Sequence, residues 1–408
     1  MGYIFRMATR NIWRNRRRTL ITAASIMFAA TLTISLTSVE TGMWENMLKS
    51  VVDQSTGNLQ VQSKGYYDEP TLDNIFSMEE STLAALQEHS RIYKVNPRLE
   101  SFILAANDER TRPVMVFGVD PVREAEMTGL DERLIAGNYF SEGYDHGILL
   151  GSGVADRMNF SIGDSVVFLG QGYRGAMAVG IWPVVGIVDL PIRELNNQSV
   201  FMPLPIAWDL FQAHGLYTGV MLQSNSNRRL PALQTELKAL LPNDPLTILT
   251  WEEMMPELLE AKAVDEASTI ITMYVLYLVV TFGIFGTLLM MLNERTYEMG
   301  VLVSIGMKRR QLMLLIWLEF LMMAFIGLLA GMLLALGVVS YLHFYPMPLG
   351  EDMQEIFDQF GMVAQITATV NPMIFFRETI TVTFIVTLLS LFPVWKIFSL
   401  NPIKAMRA

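Results

Sequence analysis

Four apolar runs limit what this chain can fold into. They are TLITAASIMFAATLTISLTSV (19–39), STIITMYVLYLVVTFGIFGTLLMML (268–292), LMLLIWLEFLMMAFIGLLAGMLLALGVVSYLHFY (312–345) and TITVTFIVTLLSLFPVWKIF (379–398). An apolar run of about 18 or more residues is long enough to cross a ~30 Å hydrocarbon core as a helix. Composition agrees: charged residues are 17% of the chain, against roughly 25% in soluble domains. The first run is diluted by Thr and Ser and is the weakest of the four. As one helix the third would be roughly 51 Å long at 1.5 Å per residue, so it must tilt, project into water, or kink near Gly327, Gly331 or Gly337.

Charge orients these spans. Arg6, Arg10, Arg14, Arg16, Arg17 and Arg18 precede the first span with no acid among them, and the 293–311 segment has four basic residues against two acidic. Lys396, Lys404 and Arg407 follow Trp395, while Glu351, Asp352, Glu355 and Asp358 lie between the third and fourth. The positive-inside rule then puts both termini and residues 293–311 in the cytoplasm. The expected layout is an N-terminal helix over 1–18, spans at 19–40, 268–292, 312–345 and 379–398, outward segments at 41–267 and 346–378, and a tail over 399–408. Residues 41–267 hold 16 basic and 31 acidic residues, a net of −15. So acidic an outer face offers nucleic acid no binding patch. The absence of cysteine excludes disulfides, a thiol nucleophile and cysteine-ligated zinc. The basic-then-apolar N-terminus resembles a secretory signal, but its apolar stretch is too long for a cleaved one, so a retained anchor is expected.

Residues 3–17 predict an amphipathic helix along the membrane surface, with Ile4, Phe5, Ala8 and Ile12 on one face and arginines on another. The outer segment reads as α+β. Strand patterns occur at 58–64, 113–120, 147–151, 164–170, 183–189, 199–204, 218–224 and 246–251. Helical patterns occur at 77–90, 153–158, 205–212 and 230–242. A further helix over 250–269, opened by Thr250 and Glu253 in a capping-box pattern, is expected to run on into the second span and carry movement across the membrane surface.

Enzyme chemistry has little support. The chain has no G-x-x-x-x-G-K-[ST] phosphate loop, no H-E-x-x-H and no G-x-S-x-G, and His89, His146, His214 and His343 are scattered. No metal or cofactor is expected on it. Glu319 is the one carboxylate well inside an apolar run. It reads either as a gate or relay, or as a structural group hydrated or paired near Arg309 and Arg310; the second is preferred.

The segment ERTYEMGVLVSIGMKRRQ resembles the cytoplasmic loop of MacB/FtsX-type permeases of ABC transporters, in which a pattern close to E-R-x-x-E-I-G-x-L-x-A-x-G-x-x-x-x-Q follows the second of four spans. Glu294, Arg295, Glu298, Gly300, Leu302, Gly306 and Gln311 match it, with Met299 for Ile and Ser304 for Ala. WLEFLMMAFIGLLAG, NIWRNRRRT and LNPIKAMRA are similar to the family as well. VFGVDPVRE, GILLGSGVADRMNFSIGDSVVFLG, VVGIVDLPIRELNNQSVFMPL and LTWEEMMPEL resemble its MacB-like periplasmic domain. One departure is Asn196 and Asn197, where many relatives carry an acidic residue.

The resemblance implies a helical membrane protein with a 1+3 span arrangement and an α+β MacB-like domain in the periplasm, set in the inner membrane. It implies that Glu294, Arg295, Glu298, Gly300, Leu302, Gly306, Lys308, Arg309 and Arg310 form a coupling helix docked on a separate cytoplasmic ATPase. Glu298 near one end and the basic residues near the other would complement that helix's dipole, and Gly300 and Gly306 would let another backbone approach. ATP and Mg would sit on two ATPase copies, and a second permease, identical or homologous, would complete a mechanotransmitting complex. With no fused ATPase, the layout is closest to the lipoprotein-releasing LolC/LolE branch. A periplasmic chaperone or adaptor is then a further partner, with membrane lipids around the spans. The alternatives are export of a peptide, antibiotic or other amphiphile, and FtsX-like signalling to a cell-wall hydrolase. Met43, Trp44, Met47, Leu48, Met273, Tyr274 and Tyr277 either line an apolar receiving surface for acyl chains or simply anchor the spans at the interface.

Overall fold

The computed structural model describes residues 2–14, 16–52, 56–107, 110–140, 146–225, 229–241, 245–350 and 365–398. The expected acidic cluster at 351–358 and the tail from 399 lie outside them. The described chain forms two compact units: a helical one from residues up to 45, 261–348 and 365 onward, and a sheet-rich one from 46–260 with 349–350.

The helical unit is built on α1 (Gly2–Arg14), α2 (Arg16–Val51), α10 (Pro256–Glu294), α11 (Thr296–Ser304), α12 (Arg309–Phe344) and α13 (Pro372–Phe398). Among the described residues four stretches are long and apolar enough to cross a membrane: Thr19–Lys49, Pro256–Glu294, Arg309–Phe344 and Pro372–Pro393. Two of the hydroxyls that dilute the first bond back to their own helix. Thr31 and Thr33 donate to the carbonyls of Met27 and Ala29, at 2.8 and 3.1 Å, and Thr33 is fully buried.

Helix α12 does not kink at its glycines. Its 36 residues form one helix in which Gly327 and Gly331 are contact surfaces. A Cβ at Gly327 would stand 2.6 Å from the Ala23 carbonyl oxygen, and one at Gly331 2.8 Å from Ala30 Cβ. This is small-residue packing, in which missing side chains let two helix backbones approach and gain dispersion contacts. Thr31 adds a 3.2 Å hydrogen bond to the Gly331 carbonyl. Gly337 faces open space.

Helix α1 uses its apolar stripe on protein rather than lipid. Ala8 and Ile12 are buried, Ala8 in a cluster with Met299, Leu312 and Ile316, and Ile4 and Met7 lean on that cluster. Phe5, at the edge of the stripe, is 52% exposed, on the outward side with Tyr3 and Trp13. The outward face is thus basic and aromatic.

The sheet unit contains strands β1 (Leu59–Ser63), β2 (Phe76–Ser77), β3 (Ile92–Ala106), β4 (Thr111–Val119), β5 (Leu134–Gly137), β6 (Ile148–Gly151), β7 (Ser165–Gln171), β8 (Met177–Val188), β9 (Ser199–Pro203), β10 (Leu216–Tyr217), β11 (Gly219–Ser224) and β12 (Leu246–Thr250). Helices α3 (Glu80–Gln87), α4 (Pro121–Thr128), α5 (Ser152–Met158), α6 (Arg193–Asn196), α7 (Leu204–Phe211), α8 (Leu230–Lys238) and α9 (Trp251–Met254) connect them. Strand order is β12-β1-β11-β3-β4-β9-β6-β8-β5, and β7 pairs with both β3 and β8. Those pairings close a six-strand ring through β3, β4, β9, β6, β8 and β7, leaving β12-β1-β11 and β5 as extensions. Among these strand pairings β4–β9 and β6–β8 are parallel and the rest antiparallel.

The longest strand, β3, buries a charged residue at its middle. Arg98 is 2% exposed, with Nη2 and Nε 2.6 and 2.9 Å from the Glu124 carboxylate. Asn96 donates to the same carboxylate at 2.7 Å. Glu124 sits on α4, which opens with Asp120 accepting from the amides of Val122 and Arg123. Burial pushes the Glu100 carboxyl above its ordinary range, and Arg98 3.4 Å away only partly offsets this.

The helix expected over 250–269 is two helices. Thr250 and Glu253 do form the capping box, but Met255 leaves the helical region at φ −128° and ψ 58° before Pro256. A residue ahead of proline is sterically driven out of the α conformation, so α9 ends there and α10 starts on the proline.

Candidate functional site

Two places in the helical unit concentrate chemistry: the connection between α10 and α12, and a cleft lined by α2, α10 and α13.

In the connection, Arg295 breaks the helix after Glu294, α11 runs from Thr296, and Ile305 caps it. The end is a Schellman motif: Met307 donates its amide to the Leu302 carbonyl and Gly306 to that of Val303, both at 3.1 Å. Gly306 has φ +103° and open space where a Cβ would be. Within this chain it serves that left-handed closure. Lys308 then N-caps α12, and Gln311 Oε1 accepts from the Lys308 amide at 3.2 Å. Lys308, Arg309 and Arg310 therefore belong to the start of α12 rather than the end of α11. The expected dipole complementarity holds for Glu298 in the first turn of α11 and fails for the three basic residues. Tyr297, Glu298, Ser304, Ile305 and Lys308–Arg310 are exposed, Ile305 at 79%. Leu302 is half-buried, and Gly300 and Met299 are buried.

Arg295 departs most from expectation. It is 7% exposed and forms an ion pair with Glu319, itself 1% exposed. Asn11 on α1 donates to the other oxygen of Glu319 at 2.6 Å. The intramembrane carboxylate thus has a structural pairing, but with Arg295 and Asn11 instead of Arg309 and Arg310. It holds α1, the α10–α11 junction and α12 at one point. A surface pair, Arg14 to Glu298 at 3.6 Å, joins α1 to α11 a second time.

The cleft has a volume of about 780 Å³. Thr37, Glu40 and Thr41 come from α2; Glu266, Thr269, Ile270, Met273, Tyr274, Tyr277, Leu278 and Thr281 from α10; Arg377, Glu378, Thr381 and Ile385 from α13. Glu378 is buried; the Tyr277 hydroxyl donates to one of its oxygens and Arg377 Nε lies 3.2 Å from the other. Of the seven residues expected on a receiving surface, Met273, Tyr274 and Tyr277 line this cleft. Trp44 instead donates its indole N–H to Asp265 at 2.5 Å, tying α2 to α10. Met43 is half-buried and outside the lining. Met47 is 7% exposed, and Leu48 packs on the apolar core of the sheet unit. These two are packing residues because α2 continues to Val51, past the expected span end at residue 40.

Asn196 has a structural explanation. Its Oδ1 accepts from the amides of Ser152 and Leu190, both at 3.1 Å, and its Nδ2 donates to Ser152 Oγ at 2.7 Å and Asp189 Oδ1 at 2.9 Å. An amide offers donors and acceptors together, which a carboxylate cannot.

Among the described residues, four membrane-length helices, the last three following a mixed-sheet domain that is inserted after the first, give the layout of a multi-span membrane protein. The model of the family described as MacB-like periplasmic core domain matches residues 19–240, more than half of the chain, and that of the FtsX-like permease C-terminal family matches 270–402. This protein belongs to the MacB/FtsX-type family of ABC transporter permeases. It is 22% identical over 323 residues to the lipoprotein-releasing system transmembrane protein LolC of Neisseria meningitidis serogroup B, covering 77% of this chain and 75% of that one. Among solved structures, the periplasmic region of MacB from Actinobacillus actinomycetemcomitans overlaps 52% of this chain and 97% of its own at 15% identity, TM-score 0.37. The extracellular domain of the transporter YknZ from Gram-positive bacteria overlaps 47% and 99% at 14% identity, TM-score 0.34.

Proposed function

We propose that this permease couples ATP hydrolysis on a separate cytoplasmic ATPase to motion of its outer domain, and that the work extracts lipoproteins from the inner membrane. The observation that carries the coupling is α11. It is a short capped helix between two spanning helices, with one side buried and Tyr297, Glu298, Ser304 and Ile305 exposed. Such a face fits a groove on a soluble partner. Arg295 acts from beneath, holding the helix in place through Glu319. The reading places both termini and α11 in the cytoplasm, residues 41–267 in the periplasm, two ATPase copies carrying ATP and Mg below, and a second permease alongside. The chain itself contributes no catalytic group.

The substrate class follows from the LolC relative together with the cleft, whose mixed apolar and polar lining suits an amphiphile. Acyl chains leaving a bilayer lose about 0.8 kcal/mol per CH₂, so departure of a lipidated protein needs a receiving surface and an energy input. Cysteine at Ser304 or Ile305 tests the coupling role on a background without native thiols. Cross-linking to the co-expressed ATPase, strengthened by ATP, is the expected result. Efficient labelling of Ser304→Cys from the periplasmic side, with Ser81→Cys labelled from the cytoplasm, would invert the topology and end the proposal.

A further inference from the structure

Helix α1 turns outward a basic and aromatic face that the ATPase-coupling reading does not employ. Its apolar stripe is taken up by protein: Ala8 and Ile12 are buried, and Ala8 packs with Met299, Leu312 and Ile316. On the other side Arg6, Arg10 and Arg14 are exposed at intervals of four residues, which sets them in one ridge along the helix. Tyr3 and Trp13, 73% and 69% exposed, stand near its two ends. Arg16 and Arg17 at the start of α2 are exposed as well. No acidic residue precedes Glu40 in the chain. Glu298, 3.6 Å from Arg14, offsets one of these five arginines. The face stays strongly cationic.

What covers this face follows from where it lies on the chain. The first membrane-length stretch starts at Thr19, three residues past Arg16, about 5 Å of helix. Leu20 and Ile21, directly beyond, are exposed apolar side chains, as hydrocarbon-facing residues are. Arg16 and Arg17 therefore stand at the level of the lipid head groups, and tryptophan, as at Trp13, is enriched at that level. Arg16 lies over the Trp13 ring, 5.2 Å from its centroid, and its Nε donates to the Trp13 carbonyl at 3.3 Å. Both contacts leave the two terminal nitrogens of the guanidinium to serve a phosphate. A zwitterionic head group brings its own cation towards these arginines, whereas an anionic one brings net negative charge.

We propose that the outward face of α1 binds anionic phospholipid head groups of the bilayer in preference to zwitterionic ones. Arg6, Arg10 and Arg16 hold phosphate oxygens by charge-assisted hydrogen bonds, while Tyr3 and Trp13 set the depth of the helix in the interface. Each arginine near an anionic surface adds about fivefold to binding. Because protein covers the apolar stripe, the preference is electrostatic and weakens as salt screens it. The proposal rests on the spans alone, so its failure leaves the coupling reading untouched.

The test uses the full chain in nanodiscs of phosphatidylcholine. A single cysteine at Thr9, four residues from both Phe5 and Trp13, carries a bimane label on a chain without native thiols. Quenching is compared between small added fractions of phosphatidylglycerol and of phosphatidylcholine, each with a nitroxide on the acyl chain near the head group. The proposal predicts quenching by phosphatidylglycerol that is roughly fivefold steeper or more, and a preference that falls severalfold in Arg6→Gln with Arg10→Gln and at high salt. Both arginines are exposed, so the variant tests the face and not the fold, and the comparison on the otherwise unaltered chain stands by itself. Equal quenching by the two lipids, or a preference unchanged in the variant, overturns the proposal. Loss of the preference on adding inorganic phosphate at constant ionic strength assigns the face to a free phosphate and overturns the bilayer as its occupant. Quenching by neither lipid also overturns it and leaves the face to a protein, which cross-linking of Thr9→Cys to the co-expressed ATPase would show.

Discussion

Replacing Arg295 by Ala should be among the most damaging single changes in the helical unit. The substitution removes the cation and leaves the Glu319 carboxylate, 1% exposed, with Asn11 as its one remaining hydrogen-bond partner among those identified. Breaking a buried ion pair from one side typically costs about 3–5 kcal/mol, because the surviving charge stays desolvated. Glu319→Ala should cost a similar amount by stranding the guanidinium. Asn11→Ala removes one hydrogen bond to a charged acceptor, about 1.5–3 kcal/mol. Replacing both charges with apolar residues of similar volume, Arg295→Met with Glu319→Leu, removes the desolvation cost and the attraction together. That double variant should therefore lie within about 1 kcal/mol of the unaltered protein. Denaturant titration of the purified chain in mixed micelles, followed by tryptophan fluorescence and extended to Arg295→Met and Glu319→Leu singly, gives the four corners of the cycle. Single losses below about 1 kcal/mol that simply add in the double variant would refute the reasoning, because they would mean that the two side chains do not share a desolvated site.

The same titration separates two glycines of one helix: Gly331→Ala should destabilise by about 1–3 kcal/mol through its clash with Ala30 and the Met27 carbonyl, whereas Gly337→Ala, facing open space, should gain up to about 1 kcal/mol of helix propensity. Asn196→Asp should cost about 1–3 kcal/mol, since a carboxylate cannot donate to Ser152 and Asp189, and is read as a lower melting temperature of the sheet unit within the full chain. Glu100→Gln should stabilise at neutral pH. A carboxyl with a raised folded pKa contributes stability below its unfolded value and loses it as pH rises through the folded one, so the gain should vanish below about pH 4. Gly306→Ala, strained at φ +103° by about 1–2 kcal/mol, should fray the last turn of α11 and lower the yield of ATPase cross-links from Ser304→Cys.

The spans were legible because a bilayer demands about 20 apolar residues in a row, and that signal is local. Strands such as β4 and β7 were legible for the same reason, through alternation within a few residues. Strand β3 was not: Pro97, Arg98 and Glu100 break the apolar alternation at its middle. Pairing with β4, β7 and β11 makes a strand of them, and Glu124, twenty-six residues past Arg98 on α4, partners the buried cation. Arg295 was hidden in the same way. In the sequence it is one more charge in a charged loop, and only the fold brings Glu319 and Asn11 to it. Buried pairs join positions far apart in sequence, so no window on a single chain reveals them. Trp44 and Met47 looked like interfacial anchors because spacing cannot tell a lipid-facing side chain from one turned toward Asp265 or packed inside. Gln311 and Gly306, by contrast, were found by their pattern, and the structure adds the reason: one caps α12, and the other closes α11.

The central claim is that ATP hydrolysis below the membrane moves an amphiphile above it through this chain. Its most direct measurement is release of a fluorescent lipidated protein from proteoliposomes that contain the chain, its partner permease and the ATPase. The account predicts release that requires ATP, stops on Met273→Asp in the cleft wall, and leaves complex assembly and ATP hydrolysis in place. ATP hydrolysis at a normal rate with the lipidated protein retained in the bilayer, under conditions where the complex is intact, would contradict it.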